Sequence, residues 1–417
     1  MTMQSKTAAK MIEAAERELS PVFFRIDEIE YENTERILNS FLENRVGTRH
    51  FSPTTGYGYD DIGRDTLDKL FANALFCEDA LVRSHIVSGT HAIFLALSGL
   101  LSSSETLLSI TGTPYDTLQT AIGLTGEATR ASLIGRGVNY REIPITEKGG
   151  LNLNSLKEEL KLKPRIAYIQ RSRGYAWRDS ISLSAMKEAF KLIKSDSPET
   201  LIVVDNCYGE FTAVKEPTCF GADIIIGSLI KNPGGGLAPT GGYIAGKAKL
   251  IGEIAETLTV PGMGREVGSY AGSYRAFYQG LFMAPHVVAE SLKTAALFAK
   301  LFEDLGFETK PRSNDERSDI VQSLRFNSRE ALIAFIQSVQ ATSPVDGYAL
   351  PEPWDMPGYD DKVIMAAGTF VSGASIELSA DAPIREPYTA YIQGALSYAH
   401  GKIGAKRAIA AILETQK

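Results

Sequence analysis

Cysteine is scarce in this chain, which has only Cys77, Cys207 and Cys219 among its 417 residues. Their odd number and their spacing argue against a disulfide framework and against a cysteine-based zinc site. The five histidines show no ligand spacing either, so the sequence predicts no metal site. Because such sparse cysteine usage is typical of a reduced compartment, we expect a cytoplasmic protein.

Long hydrophobic runs and an excess of positive charge are also missing. No apolar run reaches the roughly 20 residues of a membrane-spanning helix, and the opening stretch MTMQSKTAAKMIEAAEREL has interspersed charges and no signal-peptide core. The 43 lysines and arginines against 50 aspartates and glutamates give a formal net charge of -7. We therefore expect neither a membrane nor a nucleic acid as a partner.

The remaining composition is that of an ordinary globular protein, with 44% hydrophobic and 22% charged residues. A chain of this length can bury a large core and is expected to form more than one domain. We predict a helical N-terminal arm over residues 1–54, a large α/β domain over 55–300 and a smaller α+β domain over 301–417.

The predicted arm has apolar residues at helical spacing from Ala8 to Leu42. A proline at Pro21 predicts that one helix ends there and another begins. The apolar stripe can pack on a neighbouring subunit or on the arm's own domain, and the sequence does not separate these alternatives.

Three short runs rich in β-branched residues, LIVVD, DIIIG and GGYIA, lie between Leu201 and Ala245. They are typical of buried strands in an α/β sheet. Asp205 closes the first run, and Lys231 follows the second in a loop with the glycines 234–236. Since ligands bind at the carboxyl ends of such strands, we expect Asp205 and Lys231 to meet in one crevice.

A lysine near an aspartate is most often a surface ion pair that contributes little to stability. The Gly-Ser before Lys231 and the Asn-Pro-Gly-Gly-Gly after it favour instead a lysine directed into a site. A desolvated lysine has a lowered pKa and can form a Schiff base with a carbonyl, while a buried carboxylate such as Asp205 can keep a ring nitrogen protonated. These are the two protein groups that a pyridoxal phosphate enzyme needs.

Other candidates follow neighbouring predicted strands. Ser88, Gly89 and Thr90 open an apolar helix, so they form either a phosphate site or a simple helix cap. Tyr115, in a turn, can lie against an aromatic ring or serve only in packing. Arg173 follows the strand-like RIAYIQ and is either an anion contact or a solvated side chain.

Alternating strands and helices from residue 80 to 245 predict a largely parallel sheet, with RASLI and RIAYIQ as two of its strands. In the C-terminal domain, QSLRFNSREALIAFIQSV predicts a strand followed by a helix. MAAGTF and SIELSA predict a hairpin, and a final helix is expected after Pro387.

The order of these residues along the chain resembles that of the cystathionine γ-synthase, cystathionine lyase and methionine γ-lyase family. The resemblance covers nearly the whole chain. The strings QRSRGYAWRDS, DNCYGEF, KNPGGGLAPTGGYIAG and ELSADAPIREPY resemble its methionine γ-lyase-like or aluminium-resistance branch. The resemblance implies the fold-type I, aspartate aminotransferase-like transferase fold, with a mostly parallel seven-stranded sheet. It also implies pyridoxal 5'-phosphate as cofactor and a homotetramer built as a dimer of dimers.

By this resemblance, Lys231 would be the Schiff-base lysine, Asp205 the partner of the pyridinium nitrogen and Tyr115 the stacking phenol. The other implied cofactor residues hold the phosphate, partly from a neighbouring subunit. They are Ser88, Gly89, Thr90, Ser228, Tyr57 and Tyr59.

The chain departs from the family pattern where the substrate is expected. The arginine of the family's Tyr-x-Arg motif is missing at 57–59, and Glu377 stands where a substrate-carboxylate arginine is expected. Arg385 and Arg173 remain as substrate-binding candidates. We favour Arg385, because the prolines on both sides of it limit the freedom of its loop, although pairing with Glu386 is an alternative.

The implied activity is that of a carbon–sulfur lyase on a small-molecule substrate, a sulfur amino acid of the cystathionine, cysteine or methionine type. β- or γ-elimination would yield a keto acid, ammonia and a thiol. γ-Replacement or transamination with the same cofactor is an alternative. A non-catalytic aluminium-tolerance protein is an alternative from another class, and it would need an oxygen-rich metal cluster that the sequence does not show.

Overall fold

The computed structural model describes residues 3–356 and 361–415. The helices are α1 (Met3–Glu43), α2 (Ile62–Ala74), α3 (Gly89–Leu100), α4 (Asp116–Ile122), α5 (Leu153–Leu160), α6 (Leu183–Asp196), α7 (Ala248–Leu258), α8 (Arg275–Asp304), α9 (Arg329–Gln340) and α10 (Tyr398–Thr415). The strands are β1 (Asp79–Arg83), β2 (Thr106–Ser109), β3 (Asn139–Glu142), β4 (Ile166–Gln170), β5 (Leu201–Asp205), β6 (Ile224–Ser228), β7 (Gly242–Gly246), β8 (Glu308–Lys310), β9 (Gln322–Arg325), β10 (Val363–Ala366), β11 (Ser379–Pro383) and β12 (Thr389–Gln393).

The larger sheet has seven strands in the order β1-β7-β6-β5-β4-β2-β3. All of them run parallel except β7, which is antiparallel to both of its neighbours. The runs LIVVD and DIIIG are β5 and the start of β6, and GGYIA is the reversed strand β7. The predicted mostly parallel seven-stranded sheet is therefore confirmed.

Both faces of this sheet are covered, and β5 shows how the alternation of side chains achieves this. Ile202 and Val204 face one way and join a hydrophobic cluster that includes the apolar side of α6. Val203 faces the other way and joins the cluster formed with α3 and α7. A central strand buried on both faces reads as a continuous apolar run, as LIVVD does.

The smaller sheet belongs to the C-terminal part and has five antiparallel strands in the order β10-β11-β12-β9-β8. The predicted strand and helix in QSLRFNSREALIAFIQSV are β9 and α9. The predicted hairpin exists as β10 and β11, but both strands are displaced from MAAGTF and SIELSA, and Glu377 lies before β11. With its helices, this sheet forms the smaller α+β C-terminal part that the sequence predicts.

The expected final helix after Pro387 exists as α10, but the prediction missed a strand before it, and a second prediction of secondary structure is wrong for a related reason. The segment after Pro387 first forms the fully buried strand β12 before α10 begins at Tyr398, because a short apolar run such as TAYIQ does not distinguish a strand from a helix. RASLI is no strand; the strand of that region is β3, an edge strand with the polar sequence NYRE. Exposed edge strands lack the apolar signal on which the prediction depended.

The expected break at Pro21 is also wrong, since α1 is one continuous helix. Proline inside a helix costs about 3 kcal/mol. On either side of it, Leu19 and Val22 are buried in the main core, where α1 packs against α8 and α10. Because each buried side chain of this size contributes about 1.5–3 kcal/mol, packing on the arm's own chain outweighs the proline.

The division into three domains stays a prediction. The boundary placed at residue 300 falls inside α8, and residues 1–2 and 416–417 of the outer domains lie outside the described part of the chain. None of the described helices is both long and apolar enough to cross a membrane.

Candidate active site

A cavity of about 910 Å³ lies at the carboxyl ends of β1, β2, β4, β5 and β6, and one face of the smaller sheet closes it. Most of the predicted site residues line it, whereas Tyr57 and Tyr59 lie outside the cavity of their own chain. The lining includes Ser88, Gly89, Thr90, Tyr115, Arg173, Asp205, Ser228, Lys231 and Arg385. The parallel strands therefore bring together the residues that the sequence singled out.

Asp205 ends β5 and is buried beneath the cavity. Its Oδ1 accepts a hydrogen bond from the backbone N–H of Cys207 at 3.1 Å. Burial raises the pKa of Asp205, although Lys231 and the Cys207 N–H act in the opposite direction. A cationic group beside this carboxylate would offset its desolvation.

Lys231 follows β6, and its Nζ lies 4.0 Å from the centre of the Tyr208 ring. Burial lowers its pKa, but Cys207, Tyr208, Asp205 and Tyr115 together outweigh burial, so the pKa is raised well above the ordinary value. The predicted lowering is therefore wrong for the chain alone. Nζ forms no ion pair within the described residues, and both Lys231 and Tyr208 line the cavity.

Tyr115 is fixed at both ends. Its backbone N–H donates to Gln170 Oε1 at 2.9 Å, and its hydroxyl donates to Thr90 Oγ1, also at 2.9 Å. Burial, followed by the nearby charge of Asp205, raises the pKa of the phenol. Tyr115 is thus a protonated, preorganised ring that connects the start of α3 to the cavity.

Ser88 is the N-cap of α3, where its hydroxyl accepts from the His91 N–H at 3.1 Å. The first N–H groups of a helix have no partners within the helix, so the N-terminus attracts anions. A Cβ built on Gly89 would lie 3.5 Å from both Cys207 Sγ and Ser228 Cβ. The residues at the ends of β1, β5 and β6 therefore converge on the start of α3. Ser88 can cap the helix there while the free N–H groups of the first turn bind an anion.

A buried polar network supports the turn after Asp205. Arg171 donates to Asn206 Oδ1 at 2.7 Å and to the Gly209 carbonyl at 2.9 Å. The Asn206 side chain donates in turn to Glu216 Oε2 at 2.9 Å. Such fully buried hydrogen bonds fix the backbone that carries the carboxylate.

The acid at the family's arginine position has a structural role. The Glu377 carboxylate accepts hydrogen bonds from the backbone N–H groups of Phe370 and Val371 at 2.9 and 3.0 Å. These bonds tether a loop that contributes Thr369 and Gly373 to the cavity wall. An acid at this position therefore holds the wall in place.

The two candidate arginines differ in how far their donors are already used. Arg173 is buried, donates to the Lys310 carbonyl at 2.7 Å and pairs with Asp319 at 3.2 Å. Arg385 is 53% exposed in its side chain and pairs with Asp361 at 2.9 Å, where the sequence suggested Glu386. Arg385 thus retains more donors for a ligand.

Several residues at the site were not singled out in the sequence. Gln170 holds Tyr115, Tyr208 lies against the lysine amine, and Cys207 lies next to Gly89. All three stand at or just after the ends of β4 and β5, so the rule that located Asp205 could have found them. Asp381, on the wall formed by the smaller sheet, had no such signal.

Comparison with known proteins identifies the family. The methionine gamma-lyase family model matches residues 8–413. The chain belongs to this family. The crystal structure of a carbon–sulfur lyase involved in aluminium resistance from Clostridium novyi NT is 46% identical, with a TM-score of 0.94 over 98% of this chain and 96% of that one. The uncharacterized protein YnbB of Bacillus subtilis is 46% identical over 96% of this chain and 95% of its own length.

The fold is shared more widely. The pyridoxal-5'-phosphate dependent protein YhfS from Escherichia coli has a TM-score of 0.62 at 16% identity, covering 94% of this chain and 96% of that one. The predicted family, fold-type I architecture and branch are confirmed, and pyridoxal 5'-phosphate is the cofactor.

The residues of the cavity fit this cofactor. The start of α3 with Ser228 suits its phosphate, the desolvated carboxylate of Asp205 suits a protonated ring nitrogen, and the Lys231 amine suits its aldehyde. Those individual roles stay predictions.

Proposed function

We propose that the chain is a pyridoxal phosphate-dependent carbon–sulfur lyase that cleaves a sulfur amino acid of the cystathionine, cysteine or methionine type. β- or γ-elimination would release a keto acid, ammonia and a thiol. The convergence of Lys231, Asp205 and the start of α3 on one cavity is the observation that supports this proposal. The described residues contain no group of three or more histidine, cysteine or acidic side chains placed to hold a metal ion, so the aluminium-binding alternative gains no support.

Bound pyridoxal phosphate supplies an electron sink for the electron pair left on the substrate Cα. Lys231 would take the proton from that Cα as general base, since it lines the cavity and its amine forms no ion pair with the described residues. Asp205 would stabilise the positive charge of a protonated ring nitrogen of the cofactor. Tyr115 keeps its proton and, held by its hydrogen bond to Thr90, would orient the cofactor ring.

A screen of candidate substrates tests this function directly. The purified protein, loaded with pyridoxal phosphate, is incubated with cystathionine, cysteine, methionine and related thioethers. Release of thiol, ammonia and keto acid in equal amounts is expected for at least one of them. Transfer of the amino group without thiol release, or replacement without ammonia release, would instead favour the transaminase or γ-replacement alternative.

We propose further that Arg385 binds the substrate α-carboxylate. Fixing this group orients the Cα–H bond relative to the cofactor ring, and a bidentate arginine imposes that geometry well. Arg385 lies on the cavity wall, and its side chain pairs with Asp361 alone among the described residues, whereas three protein acceptors already hold Arg173.

Arg385→Lys should raise KM for amino acids by about 10-fold or more, because lysine cannot reproduce the bidentate contact. The visible absorbance of the bound cofactor should stay unchanged. Arg173→Lys is the matched variant and should chiefly lower stability, through its contacts to Asp319 and Lys310. An unchanged KM in Arg385→Lys together with a large rise in Arg173→Lys would transfer the role to Arg173.

We propose that Tyr57 and Tyr59 act in the site of a neighbouring subunit. The two residues are 68% and 59% exposed, their ring centres lie 5.6 Å apart, and neither lines the cavity of its own chain. Exposed apolar side chains on α1, including Phe24 and Tyr31, offer further contact surface.

Sedimentation velocity is expected to show a dimer or a dimer of dimers at micromolar concentration. Activity per chain should fall on dilution as subunits separate, because the site loses the tyrosines of its neighbour. A monomer with full activity would refute the shared site.

A further inference from the structure

One wall of the cavity is a face of the smaller sheet. Met365, Asp381 and Tyr391 are register partners on β10, β11 and β12, and Ser379 and Gln393 form the adjacent row. All five line the cavity. Since alternate residues of a strand point to the same face, this wall presents a coherent set of side chains to a substrate.

Asp381 is an acid of this wall that is not neutralised by an ion pair within the described residues. Within the described part of the chain, its side chain accepts one hydrogen bond, from Gln393 Nε2 to Oδ2 at 3.2 Å, and it forms no ion pair with any lysine, arginine or histidine there. Burial raises the pKa of Asp381 to about 6, so the carboxylate remains mostly ionised at neutral pH. The other acid of this wall, Asp361, is already paired with Arg385.

Ser379, next to Asp381 in the wall, lacks a hydrogen-bond partner for its hydroxyl among the described residues. The Ser379 side chain is buried, and its Oγ has no hydrogen-bond partner in the described structure. Burying the Ser379 hydroxyl without a partner, and the Asp381 carboxylate with one neutral hydrogen bond and no ion pair, costs free energy that a ligand can recover. An ammonium group has three N–H donors, and the Asp381 carboxylate, Ser379 Oγ and Gln393 Oε1 are suitable acceptors for it.

We propose that Asp381, with Ser379 and Gln393, binds the distal ammonium group of a substrate that consists of two amino-acid halves joined through sulfur. This inference rests on the proposed lyase function, which accounts for the amino group at the reacting end. Methionine and cysteine have no second ammonium and would leave the carboxylate unpaired in the closed site. The subsite therefore selects diamino thioethers or disulfides against simpler sulfur amino acids.

Binding can be measured separately from catalysis with two compounds that contain no sulfur and cannot be eliminated. In 2,7-diaminooctanedioate a methylene replaces the sulfur of cystathionine, and 2-aminooctanedioate lacks only the distal amino group. Calorimetry on the cofactor-loaded protein should show at least about 10-fold tighter binding of the diamino compound, the range of a charge-assisted hydrogen bond. Equal affinities would overturn the proposal.

Asp381→Asn should remove this preference, and Ser379→Ala should reduce it about threefold, as expected for one neutral hydrogen bond. Ser379→Ala also serves if Asp381→Asn fails to fold. The control is Asp355→Asn, which removes one negative charge from a side chain that is 85% exposed. This control should keep the full preference, and a preference retained in Asp381→Asn would refute the subsite.

Turnover measurements distinguish failure of the subsite proposal from failure of the lyase proposal. In the wild type, kcat/KM should be about 10-fold higher for cystathionine than for S-(3-carboxypropyl)cysteine, and Asp381→Asn should lower only the former. A binding preference without any thioether cleavage would retain the subsite and reject the lyase. Cleavage of both thioethers at equal rates, with equal affinities for the two probes, would retain the lyase and reject the subsite.

Discussion

Lys231→Ala is expected to lower the rate of thiol release by about 10³-fold or more, because it removes both the covalent attachment and the general base. The same variant should lose the visible absorbance band of the lysine-bound cofactor. Lys231 lines the cavity, and its Nζ lies 4.0 Å from the Tyr208 ring centre. Steady-state thiol release and the absorbance spectrum measure the two effects on one preparation.

Lys247 provides the matched control, since it directly follows β7 in the same sheet. Its side chain is 55% exposed and pairs with Asp223 at 2.6 Å, away from the cavity. Lys247→Ala should retain both the absorbance band and the turnover rate. Borohydride reduction followed by peptide mapping should locate the cofactor on Lys231, and an adduct on another lysine would reject the assignment.

The large sheet and the centre of the site could be predicted because both depend on local patterns. A central parallel strand such as β5 reads as an uninterrupted apolar run, and the residues at its carboxyl end face the ligand crevice. Asp205 and Lys231 satisfy this rule, as do Ser88 and Tyr115 at the ends of other strands. The sequence order of the strand ends was therefore enough to assemble them.

The substrate wall could not be predicted, because its chemistry depends on contacts between distant segments. The sequence left Arg173 as either an anion contact or a solvated side chain, but it is buried and pairs with Asp319 from the C-terminal part. Glu377 appeared to block a binding role, yet its carboxylate tethers backbone N–H groups of a wall loop. Asp381 becomes a candidate binding residue only in the folded structure, where the register of β11 and β12 places it beside Gln393 in the cavity wall.

The direction of the pKa shift of Lys231 could not be predicted from the local sequence either. Burial alone predicted a lowered value, and burial does act in that direction. The groups that reverse the shift include Tyr208 and Cys207, which surround the amine only after the turn beyond Asp205 has folded. The sign of the shift was decided by tertiary neighbours and not by the local sequence.

Asp205→Asn should lower turnover by about 10²- to 10³-fold, the range seen when one preorganised electrostatic contact to the reacting system is removed. Asparagine is nearly isosteric and can still accept the 3.1 Å hydrogen bond from the Cys207 N–H. It has no negative charge, so a protonated ring nitrogen beside it is no longer stabilised and the electron sink is weakened. Cofactor binding should stay measurable by absorbance, because the start of α3 and Lys231 are unchanged.

Asp223 supplies the contrast, since it is buried at the opposite end of the sheet, just before β6 begins. It pairs with Lys194 at 2.8 Å and accepts from the Ile202 N–H at 2.7 Å. Asp223→Asn should therefore lower the thermal unfolding temperature while the folded protein keeps its kcat. Asp205→Asn should show the reverse, with kcat lost and the unfolding temperature little changed. Near-normal turnover in a folded, cofactor-loaded Asp205→Asn protein would mean that another group stabilises the ring nitrogen.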